Sequence, residues 1–156
     1  MSPHFRIALF IIAIICGLLI GANANAQSLT PDVVGVHLGS VHSNSRDEVS
    51  GKAWNNANPG VYFRWENVAI GTYYNSIRKE SFYVAYVYPI TDYFDVSVGL
   101  ITGYNGPGYA AKPVMPMVVP SVHFPISGNV SGRIHVAPKV SKGGATAVHF
   151  SIEWRL

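Results

Sequence analysis

Beyond its first 26 residues this chain has no cysteine, and it has little charge and no long apolar run. The single cysteine among 156 residues, Cys16, lies within an N-terminal apolar stretch. The remainder can therefore form neither a disulfide nor a thiolate metal site. Charged residues make up 12% of the chain, and 11 basic against 8 acidic side chains leave a formal charge of +3. That bias is too small to point to a nucleic-acid partner. After Ile20 no apolar run approaches the roughly 20 residues a membrane helix needs. Yet 49% of the residues are hydrophobic. Apolar residues that never form a run must be spread by alternation, as they are in the strands of membrane barrels.

The N-terminus has the pattern of a secretory signal peptide: Arg6, an apolar run from Ile7 to Ile20, then the small-residue exit Ala24-Asn25-Ala26. Bulky Ile15 before Cys16 argues against lipoprotein cleavage. The expected organisation is a signal peptide over 1–26 and one outer-membrane β-barrel domain over 27–156.

The C-terminal stretch sets the pattern for the rest. Val148, Phe150, Ile152, Trp154 and Leu156 alternate with His149, Ser151, Glu153 and Arg155, a strict period of two that gives a strand one apolar and one polar face. Seven further segments precede it: Val33 to Val41, Gly60 to Glu66, Val68 to Tyr74, Phe82 to Tyr88, Phe94 to Leu100, Val114 to Phe124, and one around Val130 to Val136. Glu66-Asn67, Pro89 to Asp92 and Ser127-Gly128-Asn129 read as short turns, and the connections between them are long and polar. Eight strands with long and short connections in alternation predict an all-β, antiparallel, up-and-down transmembrane β-barrel, its long loops on one side. Gly35, Gly39, Gly71, Ser97, Gly99 and Ser131 are expected to face a narrow bore. Trp65, Tyr88, Tyr93 and Trp154 are expected near the turn-side membrane interface, with Tyr74 and Tyr104 near the loop side. The competing soluble arrangement, a lipocalin-like barrel, would turn the apolar faces inward.

Strand order brings His42 to the loop end of the first strand and Asn75-Ser76 to the loop end of the third. A histidine can serve as base to a serine hydroxyl, with a third group fixing the imidazole tautomer. The residues alone leave a second reading open, a solvated rim histidine beside a turn serine. His37, His135 and His149 are expected to hydrogen-bond inside the bore, with no acidic partner at metal-ligand spacing. His123 lies near a turn.

His42, then Asn56 and Pro59, Arg64-Trp65, Asn75-Ser76, Gly99 to Gly103, the proline-bearing run Pro113 to Val122, and Ala137-Pro138 together resemble the PagP-type lipid A palmitoyltransferases. The likeness is distant but runs in the same order over most of the chain. It implies an outer-membrane enzyme that moves an acyl chain from a phospholipid to lipid A of lipopolysaccharide. His42, Asn75 and Ser76 would be its site residues, with asparagine at 75 where the family has aspartate. His42 would act as acid–base group, Ser76 as its hydroxyl partner, and Asn75 as an orienting or oxyanion-stabilising group. The resemblance also gives Pro116 and Pro120 a role. Proline cannot donate to a strand ladder, and such gaps in the family admit lipid sideways to the interior. The first strand starts too soon after residue 27 to leave room for the family's N-terminal amphipathic helix.

Arg78 and Lys79, beside Ser76 on a rim that also carries Arg46, Lys52, Lys112, Lys139 and Lys142, suit the phosphates of lipopolysaccharide. No cofactor or metal is implied. The expected partners are phospholipid, lipopolysaccharide and the barrel assembly machinery, for a monomer in the cell outer membrane of a Gram-negative bacterium. Two alternatives stand beside the transferase. One is a non-enzymatic barrel serving surface adhesion, resistance or exclusion. The other is a lipid A deacylase, suggested by His42-Ser43-Asn44-Ser45 and Asn58-Pro59-Gly60, with Glu48 orienting His42.

Overall fold

The computed structural model describes residues 30–106, 109–110, 112–139 and 144–156; the signal-peptide segment, Cys16 and Lys142 lie outside them. Eight strands follow in order: β1 (Val33–His42), β2 (Ala57–Trp65), β3 (Val68–Tyr74), β4 (Glu80–Pro89), β5 (Phe94–Thr102), β6 (Val114–Ser127), β7 (Val130–Ala137) and β8 (Ala147–Arg155). Each pairs antiparallel with its neighbours in sequence, and β8 returns to β1 to close the barrel. Connections 43–56, 75–79, 103–113 and 138–146 leave one end, and the short turns 66–67, 90–93 and 128–129 close the other. Glu66, with φ of 49°, and Gly128, with φ of 50°, supply the left-handed backbone in two of those turns.

Alternation decides what each face meets. Leu38, Phe63, Ile70, Phe82, Val98, Val118, Val136 and Phe150, one from each strand, stand exposed on the outside. The inward positions are largely polar and buried, among them His37, Asn58, Ser81, Asp95, Ser121, Arg133, Ser151 and Glu153. A water-soluble barrel has the opposite distribution, so the lipocalin-like arrangement does not fit. Tyr88, Tyr93 and Trp154 are exposed at the turn end, where the sequence places them.

Four expectations need correction. β2 starts at Ala57 rather than Gly60, which turns Asn58 inward, and β6 runs on to Ser127. Gly39 does not continue the inward series of Gly35 and His37. The register shifts between His37 and Gly39 against both neighbouring strands, and Ser40 takes the buried position. A bulge of this kind inserts one residue and reverses the facing of everything beyond it. By strict alternation His42 would share the outer face with Val34, Val36 and Leu38. The bulge brings it inside. Tyr104, expected at the membrane interface, instead lines the interior.

Near the turn end the bore is filled by an ion network. Arg133 binds Asp95 at 2.6 Å and Glu153 at 2.9 Å, and Glu153 also meets Arg64 at 3.9 Å and accepts the Tyr62 hydroxyl at 2.8 Å. His123, left without a role by the sequence, stands 3.7 Å from Asp95.

Candidate active site at the loop end

The 43–56 connection folds back over the barrel mouth and places Asn56 and Trp54 against His42, which Ser76 meets from the 75–79 connection. The Ser40 amide donates to the Asn56 carbonyl at 2.9 Å, so the bulge in β1 also anchors the end of this loop. Asn56 Oδ1 lies 3.0 Å from His42 Nδ1, and Ser76 Oγ lies 2.9 Å from His42 Nε2. Trp54 stacks on the imidazole at 4.9 Å and 13° between planes, its own indole N–H donating to Asn44 Oδ1 at 2.9 Å.

An amide oxygen only accepts, so Asn56 fixes the Nδ1–H tautomer and leaves Nε2 a lone pair for the Ser76 proton. Serine, base and orienting group therefore stand in line, with Asn56 in the third position. Sequence reasoning placed Asn56 only within a family pattern. No local signal identified its contact, which depends on how a long loop folds.

Asn75 performs a different task. It is fully buried. Its Nδ2 donates to Ser81 Oγ at 2.9 Å and to the Gly103 carbonyl at 3.0 Å, while its Oδ1 accepts from the Ile77 and Lys79 amides at 3.0 Å each. All four bonds serve to hold the 75–79 loop, and with it Ser76, against β4 and the start of the next loop. His42 and Ser76 are brought together, and Asn75 supports them from beneath.

Arg78, in left-handed backbone with φ of 61°, donates to the Ala53 carbonyl at 2.9 Å, and Lys79 Nζ donates to the Asn105 carbonyl. Both cations thus brace neighbouring loops without a carboxylate partner in either bond. Asp47 accepts from the Val49 amide, the Ser50 hydroxyl and the Tyr109 hydroxyl, which ties the first long loop to the third. Glu48 pairs with Lys139 at 3.7 Å and takes a bond from Asn44, so Asn56 rather than Glu48 orients the imidazole.

Below His42 and Ser76 lies a cavity of about 520 Å³, within the roughly 300–1,000 Å³ typical of ligand sites. Ile77, Ile101, Met115, Met117 and Val119 give it apolar walls, and His37, His135 and His149 lie deeper. The three deep histidines are held by hydrogen bonds: His37 to Tyr83 and His149, His135 to Ser121 and Ser151, each at 2.9–3.0 Å.

The cavity has a side as well as a mouth. Among the described residues the β6–β7 ladder starts only at Ser121↔His135, and Val114 to Pro120 is paired with β5 alone. The His123 amide donates to Tyr93 beyond β5, so alternate, even-numbered positions of β6 aim their nitrogens at β7. Pro116 and Pro120 occupy two of those positions and supply no donor there. Pro116 and Val118 line the cavity on one margin of this opening, with Ala137 and Pro138 on the other.

No protein-family model matches the sequence, and no curated protein matches it. Among solved structures the chain is similar to a de novo designed transmembrane β-barrel, with 10% identity over 81% of this chain and 98% of that one and a TM-score of 0.47. A second de novo designed barrel, TMB2.3, solved by solution NMR, gives 11% identity over 83% and 98% and a TM-score of 0.48. The strand order itself establishes the closed eight-stranded barrel.

Proposed function

We propose that this chain is an outer-membrane acyltransferase that moves an acyl chain from a phospholipid to lipid A. The observation that carries the reading is the Ser76–His42–Asn56 line set over an apolar cavity that opens sideways between β6 and β7. A cavity reached through the wall of an apolar-coated barrel suits a ligand that arrives within the membrane plane.

In the transfer, the Ser76 oxygen attacks the phospholipid ester carbonyl while its proton passes to His42 Nε2. The ester C–O bond breaks, and the departing lysophospholipid oxygen takes that proton from Nε2. A lipid A hydroxyl then gives its proton to Nε2 and attacks the acyl-serine carbonyl. Ser76 leaves and recovers the proton. Arg78 and Lys79 would meet the phosphates of the acceptor, their charge unneutralised by the carbonyls they now hold. Pro116 and Pro120 keep the entry side unpaired.

Orientation by Asn56 makes a specific demand. Asn56→Ala frees the imidazole tautomer and is expected to slow transfer on the order of 10²-fold, with the barrel still showing heat-modifiable gel mobility. Unchanged rates would remove Asn56 from the site.

Mass spectrometry of lipid A from cells with and without the protein tests the activity. An added acyl chain supports transfer, a lost chain supports the deacylase, and an unchanged profile supports a barrel that only presents its loops.

A further inference from the structure

We propose that Tyr104 is a catalytic residue of this site, the phenol that donates a hydrogen bond to the oxygen developing negative charge during acyl transfer. The inference rests on the acyltransfer reading above. Transfer through Ser76 creates an oxyanion at the ester carbonyl, and a preorganised donor aimed at it is worth a large part of the catalysis. Asn75, the donor suggested by sequence, is buried with its amide committed to Ser81 and Gly103. The site needs another.

Tyr104 is placed for it. The side chain lines the same cavity as Ser76, its hydroxyl lies 3.0 Å from the Tyr73 hydroxyl, and it interacts with the Ser76 side chain. Burial pushes the phenol above its ordinary value, with opposing contributions from the contacts to Tyr73 and Ser76. It remains a neutral donor at physiological pH.

The geometry leaves the phenol a proton to give. Ser76 donates to His42 Nε2, and His42 Nδ1–H to Asn56 Oδ1, so the serine proton is directed at the imidazole. The Tyr73 and Tyr104 hydroxyls share one bond at 3.0 Å, and with Tyr73 as its donor the Tyr104 proton is free to face the cavity. When the Ser76 oxygen bonds to the carbonyl carbon, the phenol meets the carbonyl oxygen, where charge is appearing. The interaction strengthens only as the reaction proceeds.

The test is acyl transfer in phospholipid vesicles containing lipid A, comparing wild type with Tyr104→Phe and with 3-fluorotyrosine at 104. Tyr104→Phe is expected to lower kcat on the order of 10²-fold with little change in KM, while the protein keeps its heat-modifiable mobility. The fluorinated phenol, isosteric and more acidic, should retain transfer and move the alkaline limb of the pH–rate profile to lower pH. Full kcat in Tyr104→Phe, or a fluorotyrosine profile identical to wild type, would overturn the assignment. Absence of transfer by wild type itself would instead overturn the acyltransferase reading on which it rests.

Discussion

Replacing Arg133 with leucine is expected to cost the barrel about 3–5 kcal/mol, because it strands two carboxylates in the bore. Asp95 and Glu153 are both 3% exposed, and Arg133 binds them at 2.6 and 2.9 Å. Arg64 approaches only Glu153, at 3.9 Å, and His123 only Asp95, at 3.7 Å. Neither can take over the central position that bridges both carboxylates. Buried charges are tolerable in pairs and costly alone, so the loss comes from what is left behind rather than from the bonds removed. The same logic predicts partial recovery. Arg133→Leu combined with Glu153→Gln and Asp95→Asn removes the stranded charges and should regain more than half of the loss. Urea unfolding of the folded barrel in lipid vesicles, followed by tryptophan emission, measures both variants. A single Arg133→Leu change that leaves the midpoint where it was would mean that water reaches these carboxylates and the bore is not sealed.

The second large effect concerns the site. His42→Ala and Ser76→Ala are each expected to reduce acyl transfer by at least ~10³-fold, and the double variant should be no slower than the worse single one. Non-additivity is the informative part. Ser76 Oγ and His42 Nε2, 2.9 Å apart, act as one unit: the base without its hydroxyl has no proton to take, and the hydroxyl without its base is a weak nucleophile. Both residues sit at the rim, away from the ion network that fills the bore, so the barrel should fold in all three variants. Additive losses would indicate two separate roles.

How much of this the sequence carried can be followed residue by residue. Alternation alone located all eight strands and put Gly35, Gly71, Ser97, Gly99, Ser131 and His149 on the inner face, where they lie. It succeeds because period two is a local property and a barrel asks the same alternation of every strand. It failed at Gly39. A bulge depends on the partner strands, here on the loop residue Asn56 taking the Ser40 amide, and nothing within β1 announces it.

The same limit separates His42 and Ser76, which strand order brings to one rim, from Asn56 and Trp54, which reach them only because a long loop folds back. Asn75 was legible as a neighbour of the site but not as its support, since its four bonds lie within its own loop and to Ser81 and Gly103. Pro116 and Pro120 were legible as breaks in a ladder. Which ladder they break follows from the direction of the β6 amides, which only the register shows.

One measurement bears on the whole reading at once. The purified, folded protein is placed in vesicles containing lipid A and a phospholipid with an isotopically labelled acyl chain, and lipid A is weighed by mass spectrometry with time. Transfer predicts a lipid A species heavier by one labelled acyl chain, an equal yield of lysophospholipid, and neither product with Ser76→Ala. Lipid A that stays unchanged with the wild-type barrel, or gains its chain equally well with Ser76→Ala, would contradict it.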